Sequence, residues 1–480
     1  MTLADERLKE LDNPSLTENE RVLLRCQVAA DLIHKGQYEA AREALGRLWP
    51  GVGEKPDVKG LSPVSAAEVL LQCGVLTGWL GRIGSVEGAQ EKSQDLINEA
   101  FRKFQSQGRQ EKMAEAQYEL GVCYWQLGAY DESRVIMREA LNHLTDADLE
   151  LKAKILIRRT IVELCENRFY EALNILNEAR SVFESADDAI KGRWHGQMGL
   201  VLARLADAEG DASYTDRAII EFTAAIYHYE QAGHERYCAT NRNNVAMLLY
   251  RLGRYRDAHE QLDRAGATLL RLKDSGLLAQ VDETRARVFL AEKKYSEADR
   301  VITRAVRTLE KGGASAYLSD ALAVQGVARA RRGAGEDSIN ILRRAMNVAE
   351  ESGALTNAGL AALALIEEHG ARRVLSRTEL YRLYQRAERL LKATQDAEDK
   401  ARLLACARVV MRRLADVSLR DKNFSFYSAV QEFEEKIIEQ ALAESGGSVT
   451  GAAKLLGLKH QTLISMLKKR HGASVEADAA

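Results

Sequence analysis

Proline is nearly absent from this chain of 480 residues. There are 4 prolines, and all lie close to the amino terminus, at Pro14, Pro50, Pro56 and Pro63. Because proline breaks helices, a long stretch without it that is rich in alanine, leucine, glutamate and arginine is typical of a helical protein. Aromatic residues are also few, at 6%. The composition therefore predicts an all-α fold and argues against a strand-based one.

Neither charge sign is in excess. The chain has 68 Lys+Arg and 70 Asp+Glu, a net charge of -2 and a pI near 6.6. Such a balance gives no global attraction to nucleic acid or membranes, so any contact of that kind requires a local patch. The amino terminus is acidic and polar, and the longest apolar stretches, such as Ala358 to Ile366, are too short to cross a bilayer. We expect a cytoplasmic protein with no membrane partner.

Catalytic and metal-binding motifs are missing as well. No GxxxxGK[ST], HExxH or GxSxG pattern occurs, and the nearest histidines of the central region, His228 and His234, fall on different sides of a helix. The cysteines form no CxxC pair, which indicates reduced, buried thiols rather than disulfides or a zinc site. We expect no enzymatic activity, no catalytic residue, no metal and no cofactor. The six cysteines are Cys26, Cys73, Cys123, Cys165, Cys238 and Cys406.

What the chain does contain is a repeat. A small residue, a large apolar residue four positions later and an alanine three positions after that recur with a spacing of 40 residues. An aromatic residue often stands three positions before the small one, and an earlier helical stretch precedes it. Each unit is therefore expected to be helix, short turn, helix, with the small residues allowing close helix contact. The clearest copies are Ala218, Phe222, Ala225; Ala258, Leu262, Ala265; Ala298, Ile302, Ala305; and Ser338, Leu342, Ala345.

These units resemble tetratricopeptide repeats. The segment Ala114 to Leu141 follows that consensus closely, and the segment from Asn241 is similar to the longer repeats of kinesin light chains. The period of about 40 and the lack of a closing proline depart from the usual 34-residue form. The resemblance implies a superhelix of 8–10 helix pairs over residues 1–415, irregular at 50–110 and 355–415, whose concave wall of first helices takes a peptide or protein partner.

Polar residues on first helices are the candidates for that contact. Asn243 and Asn244 stand where such arrays, by the resemblance, hold a peptide backbone, because an amide both donates and accepts. Neighbouring units offer Arg285 and Arg287, which suit carboxylates, and His195 with Gln197. The alternative is that all six are ordinary solvated helix residues.

The last fifty residues show a different pattern. A helix from about Ser425 to Glu444, a Gly446-Gly447 stop, a short helix capped by Ser448, a Gly457 turn and a third helix have the lengths of a helix-turn-helix. From Ser448 to Gly472 there are five basic residues and no acidic one. This is the local basic patch that the balanced overall charge conceals.

This segment resembles the Fis-type domain of bacterial regulators, through residues such as Gly447, Ala452, Leu456, Gly457 and Leu463. The resemblance implies that the third helix enters the DNA major groove. Lys459, Ser465 and Met466 replace a usual cap and basic residues, so modest intrinsic affinity is expected. We expect base-edge contacts from His460, Gln461, Thr462 and Ser465 and phosphate contacts from Lys459, Lys468, Lys469 and Arg470.

The segments together predict a repeat array (1–415), a linker (416–424), a Fis-type domain (425–472) and a tail (473–480). A domain of about 45 residues has a thin core, and its first helix has spare apolar residues, so we expect a homodimer. The leading hypothesis is a transcription regulator whose array senses a peptide or protein and whose carboxyl-terminal domain binds DNA. The alternative hypotheses are a scaffold or adaptor without sequence-specific DNA binding, and terminal helices that only cap the last repeat.

Overall fold

The computed structural model describes residues 15–34, 36–84, 86–312, 315–372, 374–415 and 426–470; for 34, 315, 415, 426–433 and 468–470 only the backbone is described. These residues form 23 α-helices and, within those ranges, no strand. The predicted all-α class is confirmed. In chain order the helices are α1 (Glu18–His34), α2 (Tyr38–Leu45), α3 (Pro63–Ile83), α4 (Ala89–Ser106), α5 (Gln110–Leu127), α6 (Tyr130–Asn142), α7 (Leu149–Cys165), α8 (Phe169–Glu178), α9 (Arg180–Glu184), α10 (Asp188–Glu209), α11 (Ala212–Gln231), α12 (Glu235–Arg251), α13 (Tyr255–Arg271), α14 (Ser275–Ala291), α15 (Tyr295–Gly312), α16 (Ser315–Arg331), α17 (Gly335–Glu351), α18 (Leu355–His369), α19 (Arg377–Leu390), α20 (Ala397–Ala415), α21 (Phe426–Glu444), α22 (Val449–Leu455) and α23 (His460–Arg470).

The chain divides into two compact units, Met1–His369 with Arg382–Cys406, and Gly370–Tyr381 with Ala407–Ala480. This division differs from the end of the repeat pattern at 415, because parts of α19 and α20 group with the carboxyl-terminal helices. The predicted linker (416–424) and tail (473–480) lie outside the described residues.

Helix pairs build the first unit. Consecutive helices pack against each other from α1 with α2 to α16 with α17, and the aromatic residues of the repeat begin the second helices, as Tyr255 begins α13 and Tyr295 begins α15. Every small, large and alanine position of the four clearest copies is buried, with Phe222 at 2% exposure the most accessible. The repeat therefore follows the packing of the core.

Close contact between paired helices depends on small residues of the first helix. A Cβ added at Gly199 would lie 2.8 Å from Phe222 Cδ1, and one added at Gly326 would lie 2.5 Å from Leu342 Cγ. A large side chain that packs directly against a glycine fills the space a side chain would occupy there. Because packed interiors leave no void, the two helix backbones lie close together.

In the turns between paired helices, one residue adopts the left-handed backbone conformation. Gly253 (φ 71°) and Gly333 (φ 93°) occupy this position in two units, while Lys293 (φ 62°) occupies it in the unit between them. Left-handed backbone favours glycine because a side chain there meets the following carbonyl.

One helix of the described residues, Pro63–Ile83, is long and apolar enough to span a membrane by length and composition alone. Sequence analysis overlooked it because Glu68, Gln72 and several glycines interrupt its apolar residues. Of its most apolar window, 89% is buried inside the protein, as in the core helix of a folded domain.

The cysteines largely follow expectation. All six are free thiols, and five are buried; Cys165 is exposed and accepts a hydrogen bond from Trp125 Nε1 at 3.4 Å. Burial raises the pKa of Cys123 to about 12, despite a hydrogen bond between its thiol and the Ser93 hydroxyl. The raised pKa keeps this thiol protonated and inert.

Candidate nucleic-acid interface and first-helix face

The carboxyl-terminal unit contains three short helices around a small core. Ile438 and Ala441 of α21, Ala452 and Ala453 of α22 and Leu463 of α23 are buried together. A core of this size buries little apolar surface, so the domain has a thin stability margin.

The helix ends of this domain follow from local chemistry. Ser448 caps α22, its Oγ accepting a hydrogen bond from Gly451 N at 3.2 Å, as the sequence predicts. Gly446 and Gly447 have φ of 63° and 86°, and Gly447 N donates to Leu442 O at 2.8 Å, which ends α21. Gly457, with φ of 64°, makes the turn before the third helix.

The third helix separates a buried side from a polar one. Leu463 is fully buried, while Gln461, Thr462 and Ser465 are exposed, as are His460 at the start of the helix and the preceding Lys459. All five residues are accessible, as contact with a base or phosphate requires. The side chains of Lys468, Lys469 and Arg470 lie outside the described residues, although their backbone is helical. Lys454 on α22 is also exposed and adds a cation that the list of sequence-predicted contacts left out.

The candidate partner-binding residues occupy the first helices α10, α12 and α14 but point in different directions. His195 Nδ1 lies 2.6 Å from Glu221 Oε2 on α11, and Arg285 Nη1 lies 2.7 Å from Asp263 Oδ1 on α13, so both reach toward second helices. Residues two apart on a helix do not share a face. Pairing His195 with Gln197, or Arg285 with Arg287, on one wall is therefore not what the structure shows.

The face formed by first helices instead carries a second set of polar groups. Arg287 Nε donates a hydrogen bond to Glu283 on its own helix. The charges of these two residues also influence the pKa of Asp320 on α16, which Arg287 lowers and Glu283 raises. Burial raises the pKa of Asp320 to about 6, although Arg287 and a hydrogen bond from Asn357 of α18 act in the opposite direction. The charge of Glu283 and of Asp320 raises the pKa of Arg287 well above its ordinary value, against burial.

Among the candidate partner-binding residues, two acceptors lack hydrogen-bond partners. Asn243 Oδ1 and Gln197 Oε1 are buried atoms with no partner within the described part of the chain, whereas Asn244 is half-buried. Buried polar atoms are nearly always satisfied, so these two indicate sites for an incoming donor or water. We call Asn243, Glu283, Arg287, Asp320 and Asn357 the first-helix strip.

Sequence reasoning missed Glu283, Asp320 and Asn357. A usable signal existed for one of them, because Glu283 stands 40 residues after Asn243, at the same position of the next unit. The other two depend on which first helices become neighbours.

Two stacked histidines were missed as well. The rings of His195 and His228 lie 5.3 Å apart, and His228 Nδ1 lies 2.7 Å from Asp188 Oδ1. No cluster of three or more potential metal ligands occurs in the described ranges.

Fold and site define a two-part protein: an array of helix pairs followed by a helix-turn-helix. Residues 429–469 match the family model described as "Bacterial regulatory protein, Fis family". The predicted Fis-type domain and the tetratricopeptide-type character of the array are confirmed. The family model covers only residues 429–469 and gives no information on the function of the array. No curated protein matches the chain.

Among solved structures, the array is similar to the apo form of the quorum sensor NprR from B. thuringiensis, at 13% identity and a TM-score of 0.52 over 72% of this chain and 97% of that one. A signal transduction ATPase with numerous domains and a tetratricopeptide repeat sensor, from Pyrococcus horikoshii, gives 11% identity and a TM-score of 0.51 over 83% of this chain, which covers 56% of that protein. A Rap protein complexed with competence and sporulation factor gives 15% identity and a TM-score of 0.48, with 82% and 99% coverage. At these low sequence identities, the similarity shows only that the array shares its fold with these proteins.

Proposed function

We propose that this protein is a cytoplasmic, DNA-binding transcription regulator in which the repeat array senses a peptide or protein partner. The match of residues 429–469 to the Fis family carries the proposal. The exposed polar side of α23 supports it, because that side presents groups that read base edges.

The roles within α23 follow from chemistry. Gln461 has an amide that both donates to and accepts from an adenine edge, and His460, Thr462 and Ser465 are additional base contacts. Lys459, with Lys468, Lys469 and Arg470, neutralises phosphates without reading sequence. With the exposed Lys454 these residues make about five phosphate contacts, which give a salt slope of roughly -4.5 for one copy and are weak for holding a specific site.

Two copies are therefore proposed to act together. Ile437 of α21 is 38% exposed and Leu455 of α22 is 58% exposed, which is apolar surface that a twofold partner would cover. The side chains of Val430 and Phe433, also expected at this interface, lie outside the described residues.

The array is proposed as the sensing part. The first-helix strip offers both charge signs and an unsatisfied acceptor at Asn243, which suits a peptide whose backbone donates hydrogen bonds and whose side chains are charged. Asn244 and Gln197 extend this surface, whereas His195 and Arg285 would contact a partner only at its edge. Two proteins of similar fold are a quorum sensor and a signal transduction ATPase with a tetratricopeptide repeat sensor, which is in keeping with this role.

A binding experiment with the full chain tests the DNA proposal. Genomic fragments recovered by the wild-type protein are compared with random duplexes in a mobility-shift titration. We expect preference for the recovered fragments, and we expect Gln461→Ala to lower that preference by about 1–3 kcal/mol at one base pair. Changing Lys468, Lys469 and Arg470 to alanine is expected to weaken binding to all sequences alike.

A matched control removes the same number of charges elsewhere. Arg47, Lys59 and Arg102 are exposed residues in the first part of the array, and their replacement by alanine is expected to leave DNA binding unchanged. If the wild-type chain never prefers genomic over random DNA at low salt, the regulator proposal fails and a scaffold or adaptor role remains.

A further inference from the structure

A basic groove runs along helix α15 in the repeat array. A cavity of about 1010 Å³ follows the helix from Ser296 to Gly312. Four cationic residues of α15 line it at intervals of four, three and four residues, which places them on one side of the helix. They are Arg300, Arg304, Arg307 and Lys311.

Acidic neighbours neutralise only part of this charge. Arg304 donates two hydrogen bonds to Asp282, at 2.8 and 2.7 Å. At the other side of the groove Arg329 and Arg332 both donate to the buried Asp299, Arg329 Nε at 2.5 Å.

Three cations of the groove remain without a counter-charge. Arg300, Arg307 and Lys311 are exposed, and the described residues provide none of them with an ion pair or hydrogen bond. The nearby Glu310 is paired with Arg344 of α17 at 2.7 Å. Hydroxyl groups of Ser275, Ser296, Thr303 and Thr308 complete the lining. Arginine, lysine and hydroxyl groups together are the donors that phosphate oxygens accept from.

Packing of the repeat does not require this stripe. Forty residues earlier, Glu260 and Ala267 stand at the positions of Arg300 and Arg307, and forty residues later both positions are asparagine, Asn340 and Asn347. Arg264 and Arg344 stand at the position of Arg304 in the two neighbouring units, and Arg271 stands at the position of Lys311 in the earlier one. Arg300 and Arg307 are therefore the cations that distinguish this unit, and the complete row of four occurs here and in neither neighbour, as expected for a binding surface rather than a structural feature.

We propose that this groove is a second DNA contact, which binds the phosphate backbone of the duplex without reading its sequence. Arg300 to Lys311 spans about 16 Å along the helix, at 1.5 Å per residue. One strand of B-DNA presents a phosphate about every 3.4 Å along its axis, so about four or five phosphates lie within that length. A row of cations matches such a row of anions, whereas a single nucleotide would leave most of the groove empty.

This inference rests on the proposed DNA-binding function and supplies what the helix-turn-helix lacks. The terminal domain alone offers about five phosphate contacts per copy, and the groove adds three unpaired cations. Because non-specific affinity grows with the number of neutralised phosphates, the groove would raise affinity without changing sequence preference.

The test measures salt dependence with the full chain and a random 60-bp duplex. In the variant with Arg300, Arg307 and Lys311 changed to alanine, the slope of log K against log salt is expected to become shallower by about 2.7, or 0.9 for each lost phosphate contact. Preference for genomic fragments over random DNA is expected to stay as in the wild type. The triple change of Arg47, Lys59 and Arg102 serves as the control and is expected to keep the wild-type slope.

The outcomes separate this inference from the proposed function. An unchanged slope in the groove variant, with normal helicity and melting temperature, overturns the inference. So does a groove variant that loses binding to poly-glutamate while its DNA slope stays as in the wild type, because the groove then serves an acidic polypeptide. If the wild type shows no preference for genomic over random DNA but its salt slope still depends on the groove residues, the regulator proposal is contradicted and the proposed DNA contact of the groove is supported.

Discussion

The carboxyl group of Asp320 is one of several buried carboxyl groups, Glu119 and Asp399 among them, whose raised pKa makes stability depend on pH. Burial raises its pKa to about 6, so the folded chain holds this proton more tightly than the unfolded chain does. The contribution of Asp320 to the unfolding free energy is therefore expected to fall as the pH rises from about 4 to 6 and to stay level above that range. Arg287 and Asn357 limit the effect but do not reverse it.

Replacing Asp320 by asparagine is expected to remove the share of this dependence that Asp320 contributes. The difference in unfolding free energy between Asp320→Asn and the wild type is expected to grow by on the order of 1 kcal/mol between pH 4 and pH 7, after allowance for partial exposure. Denaturant titrations at several pH values measure it. Asp216→Asn, at an exposed site, is the matched control. Parallel pH curves for the wild type and Asp320→Asn would contradict the prediction.

At the scale of helices, the contact of glycine with a large apolar side chain sets the spacing within pairs such as α10 with α11 and α16 with α17. Gly326→Ala would place a methyl group 2.5 Å from Leu342 Cγ, closer than any packed carbon tolerates. We expect a loss of about 1–3 kcal/mol in unfolding free energy from this overpacking, measured by thermal or denaturant unfolding.

The control for this change is Gly312→Ala at the end of α15. Nothing lies within 4 Å of a Cβ added at Gly312, and alanine favours helix, so no loss is expected there. Equal effects at both glycines would show that backbone freedom, and not packing against Leu342, determines the cost.

Sequence alone predicts much of this element-scale order. The buried positions of every repeat follow from spacing, because a position such as Ala258, Leu262 or Ala265 must face the partner helix whatever the neighbouring units are. The break between α8 and α9 at Ala179 did not follow, since no proline or glycine marks it. The first-helix strip also escaped prediction in part, because Asp320 is acted on by Arg287 and Asn357 of other units, and which units meet depends on helix lengths.

The helix-turn-helix was more predictable than the array. Its cap at Ser448 and its turn at Gly457 are local, so short-range chemistry determines them. The orientations of His195 and Arg285 were not predicted, because each is held by a carboxylate on a neighbouring helix. Long-range pairing of this kind leaves no signature at fixed sequence distance.

At the scale of the whole molecule, the proposed dimer is the feature to test. Ile437→Asp would place a carboxylate in the apolar surface of α21 that a partner covers, at a large desolvation cost. Sedimentation is expected to show twice the mass of the 53.3 kDa chain for the wild type and the single mass for the variant. The DNA salt slope is expected to fall by about half at the same time.

Glu439→Ser, an exposed position on the same helix, is the control and is expected to remain dimeric. A wild-type protein that sediments as a monomer at micromolar concentration, or an Ile437→Asp variant that stays dimeric, would place any association elsewhere in the chain.

The glycine-to-leucine and glycine-to-phenylalanine contacts have a consequence for how such a chain diversifies. Because these contacts hold the two helices of one pair together, residues on the outside of one pair are free to vary without disturbing those on another. A stripe such as that of α15 can thus arise or vanish within a single unit while the remainder of the array keeps its form, which lets one scaffold acquire new contacts by local substitution.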